Sequence, residues 1–185
     1  MDEPAQPPLP QAATNAPSTL RRGQLAPQVE GTSLSKDPNG REFVHQAVLA
    51  HAVYVPEVRH PVEVTAAQQE HLVQWLSKRL DTALKVPNLS VQGYELVGGR
   101  LLPGEGGARA QFMFQNARGE RITLYLGALQ DTHSDADVRE TAFRYSTEGA
   151  VPGFYWVDQG FGYALAGTLA REALLTLAEA VYQQL

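Results

Sequence analysis

"GYELVGGRLLPGEGGARAQFMFQ", residues 93–115, sets six glycines among apolar and aromatic residues. Such a stretch either cradles a phosphate or bends between strands, and the two readings lead to different folds. A phosphate-binding loop of the P-loop type needs a Gly-rich turn that runs into a helix with Lys-Ser/Thr at its end. Here Pro103 to Gly107 runs into "ARAQFMFQ" (108–115), where polar and apolar residues alternate, and no Lys-Ser/Thr follows. The dinucleotide pattern G-x-G-x-x-G fails as well: Arg109 stands where the third glycine after Gly104 and Gly106 is required. "GFGYAL" (160–165) fails in the same way at Leu165. Both are bends joining strands, and Gly98-Gly99 inside a strand marks a bulge or a close backbone approach.

Working outward, the period of two continues. After "NARG" (116–119), Ile122, Leu124 and Leu126 alternate with Thr123 and Tyr125, which makes a hairpin with a four-residue connection. "FRYS" (143–146) resumes a strand, and "GFYWVDQGFGYALAG" (153–167) is a second hairpin turned at Asp158-Gln159-Gly160. Upstream the period becomes helical. In "NGREFVHQAVLAHAVY" (39–54), Val44, Ala47, Val48 and His51 share a face and Asn39 is placed to cap. Pro56 and Pro61 then force extended backbone, with a short edge strand expected at 62–64. Thr65 and Gln68 form a capping-box pattern ahead of the stripe Leu72, Trp75, Leu76, Leu80, Ala83 and Leu84, with Pro87 as the stop. A last helix from Leu169 has Leu174, Leu177, Ala178, Val181, Tyr182 and Leu185 on one face. The expected fold class is α+β: an antiparallel sheet of about five to six strands packed with two N-terminal helices and one C-terminal helix.

Composition narrows the function. Seven of the twelve prolines precede Arg41 and no apolar periodicity runs before it, so residues 1–38 read as a disordered Pro-rich linker and 39–185 as a single domain. "PPLP" (7–10) has the polyproline character that some partner domains read, although linkers of this composition are far commoner. A net charge of −5 with 15 scattered Lys and Arg argues against nucleic acid as a partner. The absence of cysteine removes thiol nucleophiles, disulfides and zinc–thiolate sites. Arg171, Glu172 and Glu179 interrupt the most apolar stretch, and "MDEPAQPPLP" lacks the pattern of a signal peptide.

No catalytic constellation stands out. There is no G-x-S-x-G elbow and no His-Glu-x-x-His, and no enzyme and no cofactor are expected. His45 and His51 are six apart on their helix, about 120° out of register for a shared metal. His51, His60 and His71 remain weak metal candidates, and "DTHSDAD" (131–137) offers Asp131, Asp135 and Asp137 but lacks the Gly and Glu of a calcium loop. Of the aromatic series Phe154, Tyr155, Trp156, Phe161 and Tyr163, half is expected to face the core and half the other side of the sheet. Tyr54, Arg100, Tyr155 and Trp156 are the candidates for an interaction surface.

The stretches "AHAVYVPEVRHPVEV" (50–64), "HLVQWLSKRL" (71–80), "PNLSVQGYELVGGRLLP" (87–103), "AQFMFQNARGERITLY" (110–125), "FYWVDQGFGYALAG" (154–167) and the ending "LAEAVYQQL" carry a resemblance. Together they resemble the C-terminal, extracytoplasmic region of single-pass transmembrane anti-sigma factors, the RsiW-like or PrtR-like regulators of proteobacteria. The resemblance implies a periplasmic sensor domain at the inner membrane that controls an extracytoplasmic-function sigma factor in a stress response, by gating regulated proteolysis. Its partners would be a periplasmic protease or signalling protein and the sigma factor. The family's sigma-binding helices and membrane span have no counterpart in these 185 residues, so sigma binding is expected of a cytoplasmic region absent from this chain. The Pro-rich start would then be the stalk. The alternative is a periplasmic small-molecule or metal-binding module without catalysis.

Overall fold

A computed structural model describes residues 29–30, 38–129, 142–147 and 151–185. Most of the expected linker, including "PPLP", and the whole acidic loop with Asp131, Asp135 and Asp137 lie outside the described residues.

The two sequence hairpins supply the middle of the sheet. Strand β3 (Tyr94–Gly104) pairs antiparallel with β4 (Gly107–Asn116), and β4 with β5 (Arg121–Ala128). Strand β5 then pairs with β8 (Phe161–Gly167), β8 with β7 (Gly153–Asp158), and β7 with β6 (Phe143–Ser146). Two-residue strands finish both sides: β1 (Val29–Glu30) runs parallel to β6, and β2 (Val64–Thr65) antiparallel to β3. The order is β1-β6-β7-β8-β5-β4-β3-β2.

Among the described residues three α-helices cover this sheet: α1 (Pro38–Tyr54), α2 (Gln69–Leu80) and α3 (Arg171–Tyr182). Leu72 and Leu76 of α2 and Leu174, Leu177, Ala178 and Val181 of α3 pack on one face, against Phe112, Phe114, Leu124, Phe154, Trp156 and Leu165. Phe43, Val44, Ala47 and Val48 of α1 pack on the other, against Tyr125, Tyr155, Val157, Ala164 and Ala166. Side chains of a strand alternate between faces, so β7 and β8 contribute apolar side chains to both cores.

The expectation of about five to six strands packed with two leading helices and one trailing helix is corrected in its strand count. The described sheet has eight strands, because β1 lies within the segment read as linker and a two-residue strand carries no periodicity to detect. The sequence did not place the two N-terminal helices relative to the sheet. They lie on opposite faces, and α2 shares its face with the C-terminal helix.

Local chemistry explains the remaining details. The register of β3 slips between Leu96 and Gly98, and a Cβ on Gly98 would overlap the Val64 carbonyl of β2, so the bulge and the close approach occur together. The β7–β8 turn has Gln159 at φ 50 and Gly160 at φ 80, the type I′ geometry that suits the twist of a two-residue hairpin. Thr65 makes no side-chain cap, and a 3-10 turn (Ala66–Gln68) precedes α2. That helix ends at Leu80 rather than at Pro87: Asp81 adopts the left-handed conformation at φ 52, and the Ser77 hydroxyl accepts the Leu84 amide. Ala83 and Leu84 therefore belong to the connection after α2, not to its stripe.

Candidate functional site: the seat of the first helix and an aromatic cleft

The contact between α1 and the sheet changes character along the helix. Its N-terminal half is apolar: the Phe43 ring meets Tyr125 edge-on at 5.0 Å and Tyr155 at 5.7 Å. Beneath and beyond it the sheet presents polar side chains, because Arg109, Gln111, Thr123 and Tyr125 sit at the alternate positions of β4 and β5 that face α1. His51 Nδ1 lies 2.9 Å from the Thr123 hydroxyl, and the Tyr125 hydroxyl donates to Gln46 Oε1 at 3.1 Å.

Two arginines are buried in this layer. Arg100 stacks its guanidinium on the Tyr54 ring at 3.4 Å and donates from Nη2 to the His60 carbonyl at 2.9 Å. Arg109 donates to the Glu105 and Ala108 carbonyls and lies 5.4 Å from the Phe43 ring centre. Glycines make the room for it: a Cβ on Gly104 or Gly127 would come within 2.5 Å of its aliphatic stem. Among the described residues neither arginine has a carboxylate partner within ion-pair distance. Among the described residues the ion pair is Arg118–Glu120, exposed on the β4–β5 connection. Nε of Arg100, Nε of Arg109 and Nε2 of Gln111 are buried without a hydrogen bond. Groups in that state are costly to dehydrate, each by roughly 1–3 kcal/mol or more.

Burial shows in the titration of the layer. The imidazole of His51, 3% exposed, is pushed down to about 4 by desolvation alone, so it is neutral at pH 7. Burial raises the Tyr125 phenol to about 12, with Arg109 opposing the shift. Burial also lowers the Arg109 guanidinium from its ordinary value.

Just past α1, Arg121 fastens the chain: its Nη1 donates to the carbonyls of Val55 and Glu57, both at 2.7 Å, and its Nε to Gln115 at 2.8 Å. The Glu57 carboxylate accepts the amides of Arg59 and His60, which lowers its pKa.

The face opposite α1 holds a cleft of about 210 Å³ between the connection after α2 and the β7–β8 hairpin. Leu84, Leu126, Phe161 and Tyr163 line it, with Asp158 and Lys85. Behind Tyr163 the Trp156 ring stacks at 5.5 Å with an 8° tilt.

Of the surface candidates, Tyr54 and Arg100 are brought together by their stacking contact. Tyr155 and Trp156 are not: both are fully buried, on opposite faces of β7, because helices cover both sides of the sheet. His51 is buried at Thr123, whereas His60 and His71 are exposed, and no group of three metal-binding side chains occurs among the described residues. Sequence reasoning missed Arg109, Gln111 and Thr123. Their signal was present as polar residues at alternate positions of β4 and β5, but it reads the same as a solvated sheet face.

No protein-family model, curated protein or solved structure matches this chain. No helix among the described residues is long and apolar enough to cross a membrane.

Proposed function

We propose that this chain is the extracytoplasmic sensor region of a single-pass transmembrane anti-sigma factor, and that α1 is its gate. The observation that carries the reading is the polar seat of α1. A helix packed on an unbroken apolar face has one deep minimum. Here part of the contact is a layer in which two arginines and an amide have unmet hydrogen bonds beside a buried histidine and phenol, so seated and lifted states lie closer in energy. The same helix follows directly on the Pro-rich segment that the resemblance makes the stalk.

A signal that binds one state better shifts the balance by its differential affinity. Lifting α1 would present it and the stalk to a periplasmic protease, and cleavage would pass through the membrane to the sigma factor, held by a cytoplasmic region outside these residues. The domain itself does no chemistry in this scheme; it is a switch.

Reading the gene upstream of Met1 tests the topology. In-frame coding for ~20 apolar residues preceded by a helical domain is expected. A stop codon in frame directly before Met1 sinks the proposal.

A further inference from the structure

The cleft on the face opposite α1 contains a feature the gate does not use. Asp158 lines it, is 7% exposed, and has Oδ1 buried without a hydrogen-bond partner. Among the described residues no cation pairs with it, since the ion pair there is Arg118–Glu120. A carboxylate this buried is costly unless something positive meets it. The cation among the described residues lining the cleft is Lys85. Its exposed ammonium donates instead to the Leu185 backbone oxygen at 3.3 Å.

The walls beside Asp158 are aromatic. Phe161 and Tyr163 are half-buried and both line the cleft, and Trp156 stacked behind Tyr163 fixes the plane of that ring. An acid set beside aromatic rings suits an organic cation: the carboxylate meets the charge, and ring faces attract it through their quadrupoles. At about 210 Å³ the cleft is smaller than the ~300–1,000 Å³ of sites for drug-sized ligands, which limits the occupant to a single ring or a short chain.

We propose that the cleft between the connection after α2 and the β7–β8 hairpin binds a small organic amine, with its ammonium on Asp158 and its apolar part between Phe161, Tyr163 and Leu84. The site lies across the sheet from α1 and stands whether or not α1 is a gate. The β7–β8 turn positions it: the type I′ geometry at Gln159-Gly160 brings Asp158 and Phe161 opposite each other as the last pair of the ladder.

The test is an NMR titration of the 15N-labelled chain with benzylamine, and in parallel with benzyl alcohol, its uncharged counterpart. Saturable shifts confined to residues 82–85, 126 and 158–163 are expected with benzylamine at millimolar concentration, and not with the alcohol. Asp158→Asn removes a charge-assisted contact and should weaken benzylamine about tenfold or more. Absence of saturable shifts overturns the proposal, as does equal binding of the alcohol or unchanged affinity in D158N. If D158N does not fold, Lys85→Gln decides. Removing the one cation on the cleft wall should tighten benzylamine, and unchanged or weaker binding overturns the proposal.

Discussion

Replacing His51 by glutamine should flatten the acid sensitivity of this fold. The imidazole is 3% exposed, has the Thr123 hydroxyl at 2.9 Å, and among the described residues has no carboxylate within ion-pair distance. Its pKa in the folded chain is about 4, against 6.5 in the unfolded one. Between those values the unfolded chain binds the extra proton, so stability is fully present above about pH 6.5 and falls as pH drops towards 4. A shift of this size is worth about 3 kcal/mol at ~1.4 kcal/mol per unit. That is a large share of the roughly 5–15 kcal/mol that holds a domain together. The assay is urea unfolding of wild type and His51→Gln at a series of pH values between about 7 and 4. Carboxylates titrate in both proteins, so the quantity that matters is the difference between the two curves. It should change by about 3 kcal/mol across the window in favour of the variant at low pH, with cost to the variant confined to neutral pH. Parallel curves would falsify the assignment of the acid response to His51.

Other substitutions probe neighbouring features. Arg121→Ala removes charge-assisted bonds to the Val55 and Glu57 carbonyls and should cost about 2–3 kcal/mol, with limited proteolysis appearing first within residues 55–60. Cleavage there only under globally unfolding conditions would count against α1 and its connection as a separable unit. Gly127→Ala places a Cβ 2.5 Å from the Arg109 stem, and its thermal midpoint should fall by the equivalent of about 1–3 kcal/mol. Gln159→Asn relaxes a left-handed residue in a type I′ turn and should gain about 0.5 kcal/mol in urea unfolding.

How far the sequence could be read depended on periodicity. Strands β4, β5, β7 and β8 were legible because their alternation or their turn residues span several positions, and Asp158-Gln159-Gly160 marked its hairpin unambiguously. The end of α2 was not legible: Ala83 and Leu84 continue the apolar stripe, and the left-handed turn at Asp81 is set by backbone geometry and the Ser77 bond rather than by composition. Strand β1 was invisible for want of length. The site was harder still. Tyr54 and Arg100 were two of four residues singled out for a surface, but their mutual contact was not legible. Gln111 and Thr123 look like solvent-facing residues until α1 is seen to cover them, and nothing in a linear pattern says which helix lies on which face.

Both margins of the sheet end in two-residue strands, and on the β3 side the side chain of Glu63 accepts the Leu101 amide at 3.0 Å just beyond the paired stretch. A neighbouring polypeptide seeking to extend the ladder at β3 would have to expel that carboxylate, and would then find only a short run of free backbone. Growth by strand addition is therefore blocked where an eleven-residue strand would otherwise be an open template.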